Sequence, residues 1–170
     1  MAAVDHFLKI DGPSVEGESG DGNHKNEIEV EEYHWEQFQE GSGGGGGGVG
    51  SGKVKMDTFK VFFRTCKATP NVMLACANGQ PYKTVTLSTR KSGGTQQDYL
   101  IWTLSEAIVC KHRHVGKEFV SASGEKTVIP LDEIHFNFAS IQCEYKVQKD
   151  DGSLGGSVKT GWNRKTNSKM

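Results

Sequence analysis

No uninterrupted apolar run in this chain is longer than Val72 to Ala77, far short of the roughly 20 residues a membrane-spanning helix needs. The first residues, Met1-Ala-Ala-Val-Asp5, hold no cation and no apolar core, so no Sec-type signal peptide is predicted. The four cysteines, at 66, 76, 110 and 143, are widely spaced and form no Cys-x-x-Cys. Without a leader they read as buried reduced thiols rather than a disulfide frame. A strong charge of one sign is also missing. With a formal net charge of −1 and a pI near 6.6, the chain does not have the composition of a nucleic-acid binder.

What remains is a polar chain of globular character. Its 170 residues suit a single domain, 1–170, which would bury roughly 70% of its unfolded surface. Hydrophobic residues make up 35% and charged residues 24%, with signs too mixed for disorder throughout. Two averages conceal local structure. Nine of the 22 glycines fall in residues 41–52, so that segment reads as a flexible loop. Residues 1–40 hold 11 Asp/Glu against 2 Lys, whereas residues 41–170 hold 10 Asp/Glu against 18 Lys/Arg. A chain divided in this way, −9 and then +8, carries material for two complementary patches.

Hydrophobicity follows period 2 through most of the chain, which predicts strands. Val4 to Ile10 is a short apolar strand stopped by Asp11-Gly12-Pro13. In Glu27 to Gln39, Ile28 and Val30 share a face while Tyr33 and Trp35 continue on the opposite parity. One extra residue at Glu31-Glu32 would bring both pairs to the same side, the signature of a β-bulge. Comparable slips separate Val54 and Met56 from Phe59, Val61 and Phe63, and Ile134, Phe136 and Phe138 from Ile141, Cys143 and Tyr145. Long coiled strands of this kind predict a mainly β fold, a closed barrel or two tightly packed antiparallel sheets. Asp98 to His114 is apolar on both faces, so it is covered on both, by a helix or by another subunit. One short helix is predicted: Thr69 as N-cap, Pro70 at the first position, the apolar run to Asn78, then Gly79 as the left-handed stop. Residues 149–170 read as an extended polar tail, with Trp162 arguing that part of it docks.

No catalytic constellation emerges. Gly47-x-x-x-x-Gly52-Lys53 copies seven positions of a phosphate loop, but the eighth is Val54 rather than Ser or Thr, and a strand pattern follows instead of a helix. Cys110, His112 and His114 share strand parity and imitate a zinc set. Their ~6.8 Å spacing strains three consecutive ligands, and Lys111, Arg113 and Lys117 disfavour a cation, so the stretch reads as a solvated basic strand end. His24, His34 and His135 have no nucleophile pattern beside them. No cofactor, no metal and no enzymatic activity are predicted. An alternative is a small-ligand or carbohydrate-binding β-barrel, with Trp35 and Trp102 as stacking platforms.

The order of motifs resembles the Hcp (haemolysin-coregulated protein) family, the tube protein of bacterial type VI secretion. The matching stretches are Phe7-Leu-Lys-Ile-Asp-Gly12, Glu16-Gly-Glu-Ser19, His24-Lys-Asn-Glu-Ile-Glu-Val30 and Gly52-Lys53-Val54. They continue with Thr69-Pro-Asn-Val-Met-Leu-Ala-Cys-Ala77, Leu87-Ser-Thr-Arg-Lys-Ser-Gly-Gly94, Asn137-Phe-Ala139, Glu144-Tyr145 and Gly161-Trp-Asn163. The resemblance implies a β-barrel flanked by one helix, forming hexameric rings that stack into the inner tube. It implies partners in the sheath, spike and baseplate proteins of the apparatus, and small effectors bound and chaperoned in the lumen, with neither nucleic acid nor membrane insertion. It further implies cytoplasmic assembly followed by export without a cleaved signal peptide. The family often has an aromatic-small-aromatic triplet whose middle residue faces the lumen. Here the triplet is Tyr33-His34-Trp35, which makes His34 the candidate effector contact. Gly43, Gly44, Gly45, Gly46, Gly47, Gly48 and Val49 are the candidate stacking or inter-subunit loop, because a segment almost without side chains conforms readily to a neighbour.

Overall fold

Strands occupy nearly every stretch where period-2 alternation is seen. The computed structural model describes residues 4–39, 53–91 and 96–170. The first half contains β1 (Val4–Asp11), β2 (Ile28–His34), the short pair β3 (Gln37–Phe38) and β4 (Lys55–Met56), and β5 (Phe59–Arg64). One helix among the described residues, α1 (Thr69–Asn78), leads into β6 (Pro81–Lys91) and the 23-residue β7 (Asp98–Val120). The chain closes with β8 (Lys126–Asn137), β9 (Ser140–Gln148), β10 (Leu154–Asn163) and β11 (Ser168–Lys169). The fold is mainly β, as the sequence predicts. The Gly-rich stretch, including Gly43–Val49, lies outside the described residues.

All pairings are antiparallel, and six strands close on themselves. The order β7-β6-β1-β2-β5-β8 is continuous, and β8 pairs back onto β7. Closure depends on the length of β7. Its first half pairs β6 and β9, with Leu104 opposite both Val85 and Ile141, and its second half, from Ile108 to Val120, pairs β8. Glu106 takes a left-handed backbone (φ 48°) just beyond Ser105, where pairing to β9 ends. That conformation costs an L-residue roughly 1 kcal/mol, and it marks where β7 leaves one neighbour for the next. The interior is filled by alternate residues: Leu8 and Ile10 of β1, Val61 and Phe63 of β5, Val85 and Leu87 of β6, and Ile134 and Phe136 of β8 are all buried in one cluster. Helix α1 packs on β7 and contributes Val72 and Ala75 to that cluster.

The predicted bulge is present. Between β2 and β5 the register slips from Val30↔Phe63 to Glu32↔Phe62. The other two phase changes are corrections: they are turns between strands, at 57–58 between β4 and β5 and at 138–139 between β8 and β9. A turn also resets parity, so the pattern alone does not separate the two cases. Thr69 is not the N-cap. Ala68 takes that place without a side-chain cap, and Thr69 opens the helix with its hydroxyl turned to Asp132. Gly79 ends α1 in the left-handed conformation (φ 69°), as the glycine stop requires. The C-terminal segment is not an extended tail: β10 lies along β9 and β11 folds back on β10.

Candidate assembly surface

His34 lies where the parity argument put it. Its neighbours Tyr33 and Trp35 turn inward. Tyr33 stacks on Phe59 at 5.8 Å, and Trp35 packs against Trp102 at 5.4 Å. His34 points outward, with its Nε2 2.5 Å from Glu32 Oε1 and its ring edge-on to Phe62. The two tryptophans are partly buried and pack against the core and, tilted, against each other.

The strand register extends this outer face across four strands. His34, Lys60, His135 and Lys111 stand in one row, and Glu32, Phe62, Glu133 and Arg113 in the next. Glu133 is the hub. Its carboxylate lies 2.7 Å from His135 Nε2, accepts from Lys111 Nζ at 3.3 Å and meets Arg113 Nη1 at 3.5 Å. Burial pushes its carboxyl up most strongly. The bonds from His135 and Lys111, with the charges of Lys111 and Arg113, outweigh burial and hold it below its ordinary range. The face is thus ionic and of both signs, with Phe62 exposed enough to be touched. It holds no nucleophile–base pair and no two carboxylates in contrasting environments, the arrangements that acid–base chemistry requires.

The zinc imitation resolves differently from either sequence reading. His112 and His114 turn together onto Asp132 Oδ1, at 2.8 and 3.1 Å, while the Cys110 thiol donates to the His135 carbonyl at 3.3 Å. The register slip between Val109 and Lys111 takes Cys110 out of line with the two histidines. No group of three or more metal-ligating side chains is assembled among the described residues. The strand end is exposed at Lys111, Arg113 and His114, as a solvated strand end should be, but its two histidines also close a hydrogen-bonded knot around the fully buried Asp132 carboxylate. Thr65 and Thr69 hydroxyls donate to the other Asp132 oxygen at 2.9 and 2.7 Å. This acceptor, 18 to 20 residues from the histidines, carries no local mark in the sequence.

His24 is likewise structural. It stacks on Phe7 at 4.3 Å, with one ring nitrogen 2.8 Å from Glu27 and the other 3.1 Å from Asp98. Beside it, Arg90, only 3% exposed, forks onto Asp21 and lies over Phe7. The residues 14–27 that carry the family-like motifs are thereby clamped onto β1 and β6.

The comparisons with known proteins agree with this architecture. Residues 7–145 match the model of a family described as type VI secretion system effector, Hcp. Over 167 residues the chain is 46% identical to Protein hcp1 of Pseudomonas aeruginosa, covering 97% of this chain and 98% of that one. The chain belongs to the Hcp family. Solved Hcp-type structures have the same fold. A type six secretion system protein at 28% identity superposes with a TM-score of 0.88, covering 99% of this chain and 100% of that one. Hcp1 from Salmonella typhimurium, at 30% identity, gives a TM-score of 0.76 with both chains fully covered. Hcp proteins are secreted structural components of type VI systems and not enzymes, which accounts for an ionic surface without catalytic geometry.

Proposed function

We propose that this chain builds closed rings of identical copies, six per ring, which stack into the inner tube of a type VI apparatus. The observation that carries the reading is what β7 does beyond the closed strand ring. Its C-terminal part and the start of β8 project as a ribbon of two strands, with Val120 and Val128 exposed at 62% and 66%. An isolated two-stranded ribbon is marginal in water. On the other side, β9 and β10 extend the sheet past the closed ring and expose Tyr145, Val147 and Val158. Two different uncovered apolar surfaces fit a heterologous contact, and identical heterologous contacts close into a ring when the rotation from copy to copy closes. The sheath, spike and baseplate proteins are the further partners, with assembly in the cytoplasm before export. Native mass is the test. Sedimentation at micromolar concentration should give six times the 18.6 kDa chain, with rings in electron micrographs. A monomer at every salt concentration removes the reading.

Within the ring, the face bearing His34 lines the lumen and binds small effectors, which it chaperones. A surface with both charge signs around an accessible Phe62 suits varied protein cargo, because selectivity comes from complementarity rather than from one deep pocket. His34→Glu places a second carboxylate beside Glu32. It is expected to leave ring assembly intact and to change retention of individual effectors by about tenfold in either direction. Effector co-purification by mass spectrometry reads the result, and an unchanged profile takes His34 out of cargo contact.

A further inference from the structure

The structure assigns the stacking contact to two oppositely charged surfaces at the two ends of β5. We propose that a basic groove on one copy receives the acidic edge of the copy in the next ring. This rests on the ring reading above and names surfaces for it.

The basic groove, of about 590 Å³, lies where Lys53–Met56, the turn after β8 and the turn after β10 come together. Among the described residues four cations line it, Lys53, Lys55, Arg164 and Lys165, with one carboxylate, Glu106, which Lys165 engages. Its floor is apolar, with Phe138 and Trp162. The Trp162 indole N–H is shielded from solvent and has no acceptor among the described residues. Arg164 is held in place by Asn137 Oδ1 at 2.6 Å and the Phe138 carbonyl at 3.0 Å, over the Phe138 ring. The groove is thus pre-shaped, and little entropy is lost on filling it.

The acidic edge surrounds a second groove of about 570 Å³ lined by Glu18, Glu29 and Glu31, where β5 ends at Arg64. Arg64 donates to Glu31 at 2.6 Å and Lys67 to the nearby Glu16 at 3.1 Å. Two cations therefore meet four carboxylates, and the edge keeps an excess of negative charge. Register sets the distance between the surfaces. Phe59 of β5 pairs Phe136, next to the basic groove, and Arg64 pairs Leu131 at the far end. A six-residue strand separates them by roughly 17–20 Å, so they cannot meet within one chain. Copies placed head to tail bring them together, and a heterologous contact of that kind is open and repeats along an axis. A single surface ion pair is weak, but the contact recurs once per copy around each ring.

The experiment reverses each surface in the full chain and follows stacking by sedimentation velocity and electron microscopy. Salt is varied from roughly 0.05 to 0.5 M, across which the screening length falls severalfold. Lys53→Glu/Lys55→Glu and, separately, Glu18→Lys/Glu29→Lys are each expected to raise the concentration needed for stacking by about tenfold or more at low salt, with single rings intact. A chain carrying all four substitutions restores complementarity and should stack within about threefold of the original. Unchanged stacking in either double variant overturns the proposal, as does additive loss without rescue in the fourfold variant. Unstacked rings of the original chain at every salt also overturn it, whereas a monomeric original chain removes the ring reading beneath it.

Discussion

Asp132→Ala is expected to cost about 3 kcal/mol of folding stability at neutral pH, because a fully buried carboxylate that accepts several hydrogen bonds is lost. The side chain is fully buried, and four donors converge on it from three parts of the chain: Thr65 and Thr69 before and within α1, and His112 and His114 on β7. Without the carboxylate the partly buried Thr69 and His112 lose an acceptor that water replaces poorly, while Thr65 and His114 are exposed enough to turn to solvent. Asp132→Asn retains the volume and one acceptor oxygen but not the charge, and about 1.5–3 kcal/mol is expected there. The effect depends on pH in a defined direction. Burial is the largest influence on the Asp132 carboxyl and raises it. The bonds from Thr69, His112, His114 and Thr65 together outweigh burial, and the net displacement is downward. A carboxyl lowered by folding contributes stability in full above its unfolded pKa, near 4, and loses it as pH falls through the folded value. The gap between the original chain and Asp132→Asn should therefore be widest near pH 7 and narrow below about pH 4. Asp21, held at about 2 by the Arg90 guanidinium, has the same sign and belongs in the background slope of both proteins. Urea titrations at pH 7 and pH 3 measure the gap. Equal midpoints for Asp132→Ala and the original chain at pH 7 would mean that the cluster does not tie β7 to α1. The ribbon proposed to reach the neighbouring subunit starts at this knot, so ring assembly should weaken along with stability.

How much of this was legible beforehand depends on the range of the interaction. The inward set of Ile28, Val30, Tyr33 and Trp35, with its bulge, follows from alternation within eight residues. So do α1 and its glycine stop. The outward direction of His34 was readable for the same reason, since parity is a local property. The Asp132 knot was not. Spacing on one strand singled out His112 and His114 as a pair but also admitted Cys110, because a one-residue bulge at that point leaves no trace in composition. Thr65 and Thr69 lie 67 and 63 residues from their acceptor, and nothing in a single sequence links them. β10 was missed for a different reason. Its strand, Leu-Gly-Gly-Ser-Val-Lys-Thr-Gly-Trp-Asn, holds few β-branched or aromatic side chains and three glycines, so pairing to β9 rather than intrinsic preference makes it a strand. The division of charge, −9 then +8, was a fact about segments. Only the register of β5 turned part of it into two surfaces at opposite ends.

Gly17→Ala should be the most disruptive single-methyl change outside the core, at about 3 kcal/mol. Gly17 lies in the Glu16-Gly17-Glu18 stretch, where the loop comes back against the start of β2. A Cβ built there would lie 2.3 Å from the Glu27 carbonyl oxygen and 2.6 Å from the Ile28 Cα. Both are backbone atoms that no rotamer change can move. The approach is fixed by a ladder of its own: Gly17 N–H donates to the Asn26 carbonyl at 2.7 Å, Ser19 N–H to Glu27 at 3.1 Å, and Asn26 N–H to Ser19 at 2.9 Å. Relief of the clash opens this ladder and lifts the loop that holds Asp21 on Arg90 and His24 on Asp98. Arg90 is then left buried without its bidentate acceptor, a second cost that follows from the first. Gly20→Ala, three residues on in the same loop, is the control. A Cβ there meets nothing within 4 Å, and a change of under about 0.5 kcal/mol is expected. By calorimetry, Gly17→Ala should melt about 6–12 °C below the original chain, while Gly20→Ala melts with it. Equal melting of the two variants would place the loop's anchorage elsewhere. Because Glu16 and Glu18 flank Gly17, the same change moves the acidic edge relative to β5. Any Gly17→Ala protein that does fold should therefore stack less well than its own stability explains, a deficit that added salt should not deepen.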